Sequence, residues 1–210
     1  MKLFLIRHGR TAWNREEVFR GTADVPLDDV GRKEAKFLAR RLKEEALRVI
    51  YTSPLSRARE TAEIIASECG TAVEVSEGLL DLNFGLWQGL SVEEVKGRFG
   101  DLYRRWMEAP HEVSFPGGED LEAVRERAMG MVEDLKGRHR GEVVALVTHR
   151  VVLKVLICSL LGLGLDAFWR VAQGTAALNA FEWKGNCWVV RLLNDTCHLR
   201  SLKGEGGLEF

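Results

Sequence analysis

Leu3-Phe4-Leu5-Ile6-Arg7-His8-Gly9-Arg10-Thr11-Ala12-Trp13-Asn14 is the stretch from which the fold of this chain is read. Four apolar residues in a row run straight into an arginine and a histidine. An unbroken apolar run closed by a glycine is what a strand buried on both faces looks like, the pattern of a central parallel strand. Ligands of open α/β sheets bind beyond the carboxyl ends of such strands. Arg7 and His8 therefore occupy the position where a reactive site is expected, and Gly9 permits a tight turn out of the strand.

Further along, Glu142-Val143-Val144-Ala145-Leu146-Val147-Thr148 repeats the arrangement: a buried strand, then His149, then an apolar helix from Val151 to about Leu161. The free N–H groups and dipole of a helix start favour an anion at that point. Between the two strands, Asn14 to Gly31 reads as loop, and Asp28 or Asp29 caps a helix over Gly31 to Lys43 with Ala35, Leu38, Ala39 and Leu42 at helical spacing. Val49 to Tyr51 and Val73 to Val75 read as strands. Ser53 as cap and Pro54 as first helical residue predict a helix that carries Arg57 one turn in. Ser91 with Glu94 forms a capping box that opens a helical stretch. That stretch is broken at Ala109 to Glu119, and Asp120 then leads into a helix through Val124, Ala128, Met131, Val132 and Leu135. Ala177 to Phe181 and Trp188 to Leu193 are the last strands, and the tail from Ser201 to Phe210 is expected to be loose.

The composition narrows the partners. A net charge of −1 with no basic block or acidic tail argues against generic binding to nucleic acid or to an anionic membrane, both of which need clustered Lys and Arg. Hydrophobic residues make up 46% of the chain, enough for a substantial core. Cys69, Cys158, Cys187 and Cys197 form no C-x-x-C pair and have no histidine at metal-ligand spacing; Cys158, inside an apolar run, is expected to be a small core residue. The opening apolar run is too short for a signal peptide, and no run approaches the ~18 residues of a membrane span. A reduced, soluble, cytoplasmic protein is the expectation.

Ile6 to Asn14 resembles the R-H-G-x-T/S-x-x-N word of the histidine phosphatase superfamily, the phosphoglycerate-mutase-like family. Four further words follow in the family's order. Gly21, Asp24, Pro26, Leu27 and Gly31 match G-x-x-D-x-P-L-x-x-x-G, and Ser53 to Ala62 match S-x-L-x-R-A-x-x-T-A. Leu79 to Gly89 match L-x-E-x-x-F-G-x-W-E-G, with Asp81 standing where the family has glutamate. Thr148 to Val151 match S/T-H-G-x, with Arg150 in place of the glycine. Pro116-Gly117-Gly118-Glu119 adds the wording of the family's cap segment. The resemblance spans about Lys2 to Leu193.

The resemblance implies an α/β fold: a three-layer α/β/α sandwich with a mostly parallel central sheet and a small helical cap insertion. Residues 1–200 would form a single domain, with the cap at about 91–119. It also implies the roles. His8 would attack phosphorus and carry a covalent phosphohistidine, Asp81 would protonate the leaving oxygen, and Arg7, Arg57 and His149 would clamp the phosphate. Asn14, Gly21 and Thr22 would contact phosphate oxygens. Arginine forks match phosphate oxygens, and phosphoryl transfer needs mainly positioning and positive charge, so no metal and no cofactor are expected. An imidazole that titrates near ~6.5 offers a neutral nitrogen at neutral pH.

A phosphomonoesterase is the first reading, a phosphoglycerate mutase the second, and a catalytically weak binding module the third. Mutases of the family usually carry an insertion rich in Arg and Tyr. Here that region is short and aromatic (Phe99, Tyr103, Trp106, Phe115), which points to a less charged, partly apolar ester. The acid-phosphatase branch is not followed, because no Asp follows His149. The expected partner is a small phosphate ester, with no nucleic acid and no membrane, and with room for a homodimer.

Overall fold

The computed structural model describes residues 1–15 and 17–202. The part of the expected tail beyond residue 202 lies outside the described residues. The elements, in chain order, are β1 (Lys2–Arg7), α1 (Ala12–Arg15), α2 (Asp29–Leu42), β2 (Val49–Thr52), α3 (Ser56–Cys69), β3 (Ala72–Val75), α4 (Val92–Glu108), α5 (Leu121–Arg138), β4 (Val143–Thr148), α6 (Arg150–Leu160), β5 (Leu178–Trp183) and β6 (Trp188–Asp195). They form an α/β/α sandwich around a six-stranded sheet in the order β3-β2-β4-β1-β5-β6. The pairings β3-β2, β2-β4 and β4-β1 are parallel, and β1-β5 and β5-β6 are antiparallel.

The strand that opens the chain sits in the middle because both its faces are apolar. Leu3 and Leu5 point into the core shared with α5 and α6, and Phe4 and Ile6 into the core shared with α2 and α3. All four are at most 2% exposed, and each such burial contributes about 2 kcal/mol. In β4, Val144 and Leu146 face one layer and Ala145 and Val147 the other. The β1–β4 register sets Arg7 opposite Thr148, so His8 and His149 leave adjacent strand ends side by side. The site follows from that pairing.

Two expectations change. Ser53 and Pro54 do not start a helix: α3 begins at Ser56, its N-cap is Leu55, and no side chain caps it. Arg57 is thus the second residue of the helix rather than one turn in. Gly9 is needed for its size and not for a left-handed turn. A Cβ there would lie 2.5 Å from the Gly31 carbonyl oxygen, and one on Gly31 only 2.1 Å from that of Arg10. These two glycines let the loop after β1 press against the start of α2, whose N-cap is Asp28, accepting from the Gly31 N–H at 2.7 Å.

Segment 91–119 packs into the body of the molecule. The capping box at Ser91 and Glu94 is present, and α4 kinks at Phe99 (φ −134°, ψ 35°). Trp106 and Phe115 are each 3% exposed and stack edge-on, together with Phe84 and Trp87, into one aromatic cluster. Trp106 and Phe115 spend their apolar surface in this core, whereas Phe99 and Tyr103 pack against it half-buried. Cys158 is fully buried, as its sequence context suggested. Among the described residues no helix is long and apolar enough to cross a membrane.

Candidate active site

His8, at the exit of β1, is 2% exposed, and its Nδ1 lies 2.7 Å from the Gly9 carbonyl oxygen. A carbonyl only accepts, so Nδ1 carries the proton and Nε2 keeps its lone pair. Burial, then the charges of Arg57, Arg7 and Arg20, hold the imidazole pKa well below its ordinary value. His8 is a neutral base with Nε2 as its available nitrogen.

His149, the N-cap of α6, is fully buried, with its ring centroid 5.2 Å from that of His8. Arg57 Nε donates to its Nδ1 at 3.2 Å, which leaves Nε2–H to donate to Ser53 Oγ at 2.8 Å. Burial and the neighbouring Arg57 depress its pKa strongly as well. Both of its ring nitrogens are engaged within the protein.

Arg57 is completely buried. Its Nη1 donates to the Ala23 carbonyl and its Nη2 to the Gly21 carbonyl, both at 2.8 Å. Its Nη2 also lies 3.4 Å from Asp81 Oδ2. Arg7 is 5% exposed, donates from Nη1 to the Gln173 carbonyl at 2.8 Å, and has a buried Nε with no partner among the described residues. Burial and the charges of Arg150 and Arg20 lower its pKa to about 9, still charged at neutral pH. A buried donor without an acceptor costs about 1–3 kcal/mol, and an anion beside Arg7 would relieve both that cost and the repulsion.

Asp81 is 7% exposed, and besides Arg57 its Oδ2 faces His149 Nδ1 at 3.7 Å. Burial raises its pKa despite the opposing charges of Arg57 and Arg20, toward a carboxyl that holds a proton. Its loop is fixed from behind. Arg127 on α5 donates to the carbonyls of Gly78, Leu80 and Asp81, and pairs with Glu119, which accepts the Asn83 N–H at 3.0 Å.

Asn14, Gly21 and Thr22 are engaged internally. The Asn14 amide oxygen accepts from both donors of Thr11 at 2.9 Å. Gly21 offers its carbonyl to Arg57, and the N–H and hydroxyl of Thr22 both reach Gln88 Oε1, at 2.7 and 2.9 Å. Gly21 has φ +51°, and a Cβ there would lie 2.9 Å from the Leu82 carbonyl oxygen, so the backbone conformation and the close backbone approach both favour glycine. The sequence assigns Ser53 only the role of a helix cap, and Gln88 and Arg20 no role at the site. Gln88 follows Trp87 in a word that was recognised, so the signal was there; Arg20 sits in a loop without periodicity and gave none. Arg150 is exposed at the start of α6, but its charge reaches Arg7 and Asp81.

A neutral imidazole with a free nitrogen, a guanidinium with an unused buried N–H and a carboxyl shifted toward its protonated form can together bind an anion, attack it and supply a proton. The sequence model of the histidine phosphatase superfamily (branch 1) matches residues 3–196. A phosphoserine phosphatase of Hydrogenobacter thermophilus is 38% identical over 199 residues, covering 95% of this chain and 94% of its own. A Yersinia enterocolitica protein, "Probable phosphoglycerate mutase GpmB", is 29% identical over 204 residues, with 95% of each chain covered. The solved structure of Bacillus stearothermophilus YhfR superposes with a TM-score of 0.91 at 34% identity, covering 95% of this chain and 99% of that one.

Proposed function

Because the chain belongs to the histidine phosphatase superfamily (branch 1) and is a phosphoric monoester hydrolase, we propose that it works without a metal through a covalent phosphohistidine on His8. His8 Nε2 attacks phosphorus in line with the ester oxygen, while the Gly9 carbonyl holds Nδ1–H and stabilises the imidazolium that forms. Arg7 and Arg57 supply the positive charge that the equatorial oxygens need. Asp81 gives its proton to the leaving oxygen, then takes one from the water that attacks the phosphohistidine. His149, held neutral with Nε2–H toward Ser53, orients Arg57.

The observation that carries this reading is the pairing of a lone pair on His8 Nε2 with the unsatisfied buried N–H of Arg7. Phosphoserine, the substrate in the name of the Hydrogenobacter relative, is the first ester to assay. Brief exposure to a 32P-labelled ester in the presence of EDTA is expected to leave acid-labile, base-stable label on the wild-type chain and none on His8→Ala. Label that survives in the variant, or turnover abolished by EDTA, would refute it.

The Yersinia relative favours a second reading, in which the phosphoryl group returns to another hydroxyl of the substrate. With 3-phosphoglycerate, 31P NMR should show inorganic phosphate; accumulation of the 2-isomer would establish the mutase instead.

A further inference from the structure

Lys154 lies on α6, one turn beyond Arg150 and on the same face, and is 5% exposed. Its Nζ stands 4.7 Å from the ring centroid of Phe168 and 4.4 Å from that of Trp169. Among the described residues it has no carboxylate partner and no hydrogen-bond acceptor. Burial and the charges of Arg150 and Arg7 bring its pKa down to about 7. Cys158, one turn further along α6, has a smaller, opposite influence.

An ammonium buried this far, beside two guanidiniums and without a counter-ion, is a poor packing element; an apolar side chain of equal length would fill the space without the desolvation. The arrangement makes sense around an anion. The faces of Phe168 and Trp169 hold the ammonium from one side and leave its other N–H groups for an acceptor. Trp169 is itself fixed, donating from Nε1 to the Trp106 carbonyl at 2.8 Å. Lys154 lies five residues beyond His149, the N-cap of α6, and the Trp169 ring that holds it is four residues from Gln173, whose carbonyl accepts from Arg7 at 2.8 Å, so its ammonium borders the phosphate pocket on the side where the part of a substrate beyond the ester oxygen would lie.

We propose that Lys154, set by Phe168 and Trp169, is the subsite for a carboxylate on the substrate, so that the site selects small phosphate esters of carboxylic acids. This rests on the phosphatase reading given above. A single compact ammonium with three donors matches one negative charge carried by two oxygens. The carboxylate that enters neutralises the repulsion from Arg150 and Arg7.

The test compares O-phosphoserine with O-phosphoethanolamine, the same skeleton without the carboxylate, on wild-type protein and on Lys154→Met. For the variant, kcat/KM on phosphoserine is expected to fall about 10- to 100-fold, chiefly through KM, and on phosphoethanolamine to stay within about threefold. Thermal melting verifies folding, and Lys154→Gln serves in its place if the methionine variant does not fold. Equal losses on both esters would mean that Lys154 acts on the phosphate or on the fold, and no loss on either would make it a packing lysine. Both results overturn the subsite while the phosphatase stands. Failure of the phosphatase reading looks different: wild-type protein that releases phosphate from neither ester nor from p-nitrophenyl phosphate, which would remove this assignment with it.

Discussion

Ser53 Oγ and His149 Nε2 lie 2.8 Å apart, and this contact selects the tautomer of His149. Arg57 Nε already donates to Nδ1 at 3.2 Å, so the ring has one proton to place, and Ser53 is where it goes. The chain then runs Ser53, His149, Arg57, Asp81: the residue after β2, the N-cap of α6, the second residue of α3 and one residue of the loop before Phe84. The His149 ring fixes the Nε side of Arg57, and the Ala23 and Gly21 carbonyls fix its Nη1 and Nη2 at 2.8 Å.

Ser53→Ala should therefore leave a buried Nε2–H without an acceptor. Folding stability is expected to fall by about 1–2 kcal/mol in urea titrations. The proposed phosphatase turnover should fall about tenfold as Arg57 loses its fixed neighbour. Imidazole 15N shifts report the tautomer: a His149 spectrum that matches wild type would show that Ser53 does not set it.

Much of this was legible because the pattern is local. Leu3 to Ile6 and Val143 to Val147 announce buried parallel strands by unbroken apolar runs, and the histidines follow directly. Asp28 declares a cap that the structure retains. Ser53-Pro54 misled for the opposite reason: the two residues have good local chemistry for a helix start, but Ser53 is claimed by His149, 96 residues away. Gln88 and Lys154 illustrate the same limit. Gln88 acts on Thr22 across 66 residues, and Lys154 looks like one more polar position in an apolar helix until Phe168 and Trp169 fold onto it. Long-range partners decide such residues, and they leave no periodic trace.

The two buried imidazoles predict an acid limit of stability. Both pKa values are depressed in the fold, first by burial and then by arginines, against about 6.5 unfolded. A depressed pKa means that the unfolded chain binds more protons below 6.5. The stability is present in full above that pH and is lost as pH falls from 6.5 toward the folded values. Each histidine contributes a slope of up to about 1.4 kcal/mol per pH unit, so the pair gives at most roughly 2.8. Asp81 and Glu34, both raised by burial, act in the opposite sense between their raised values and about 4. Lys154, lowered to about 7 by burial and the charges of Arg150 and Arg7, acts in the same sense as the imidazoles but is spent near neutral pH. Urea titrations at pH 7.5, 6.5 and 5.5 should therefore show a loss across both intervals, the second carried by the imidazoles. A flat profile down to pH 5.5 would show that the imidazoles charge freely inside the fold.

The last prediction concerns Asp81, whose carboxyl is one methylene shorter than the family's glutamate. Its Oδ1 takes the Leu82 N–H at 3.0 Å, which leaves Oδ2 facing Arg57 at 3.4 Å and His149 at 3.7 Å. Burial already moves its pKa upward, and a dianionic ester in the same pocket would move it in the same direction, both of which favour the protonated acid. If Asp81 is the acid, the need for it depends on the leaving group. Asp81→Asn should lower kcat/KM on an alkyl phosphate by about 100- to 1000-fold, since an alkoxide is a poor leaving group. On p-nitrophenyl phosphate, whose phenolate departs unaided, the loss should stay under about tenfold. Asparagine keeps the shape and the acceptor for Leu82 N–H, so folding is not at issue. Equal losses on the two esters would assign Asp81 to holding Arg57, and the proton would then have to come from another group in the pocket.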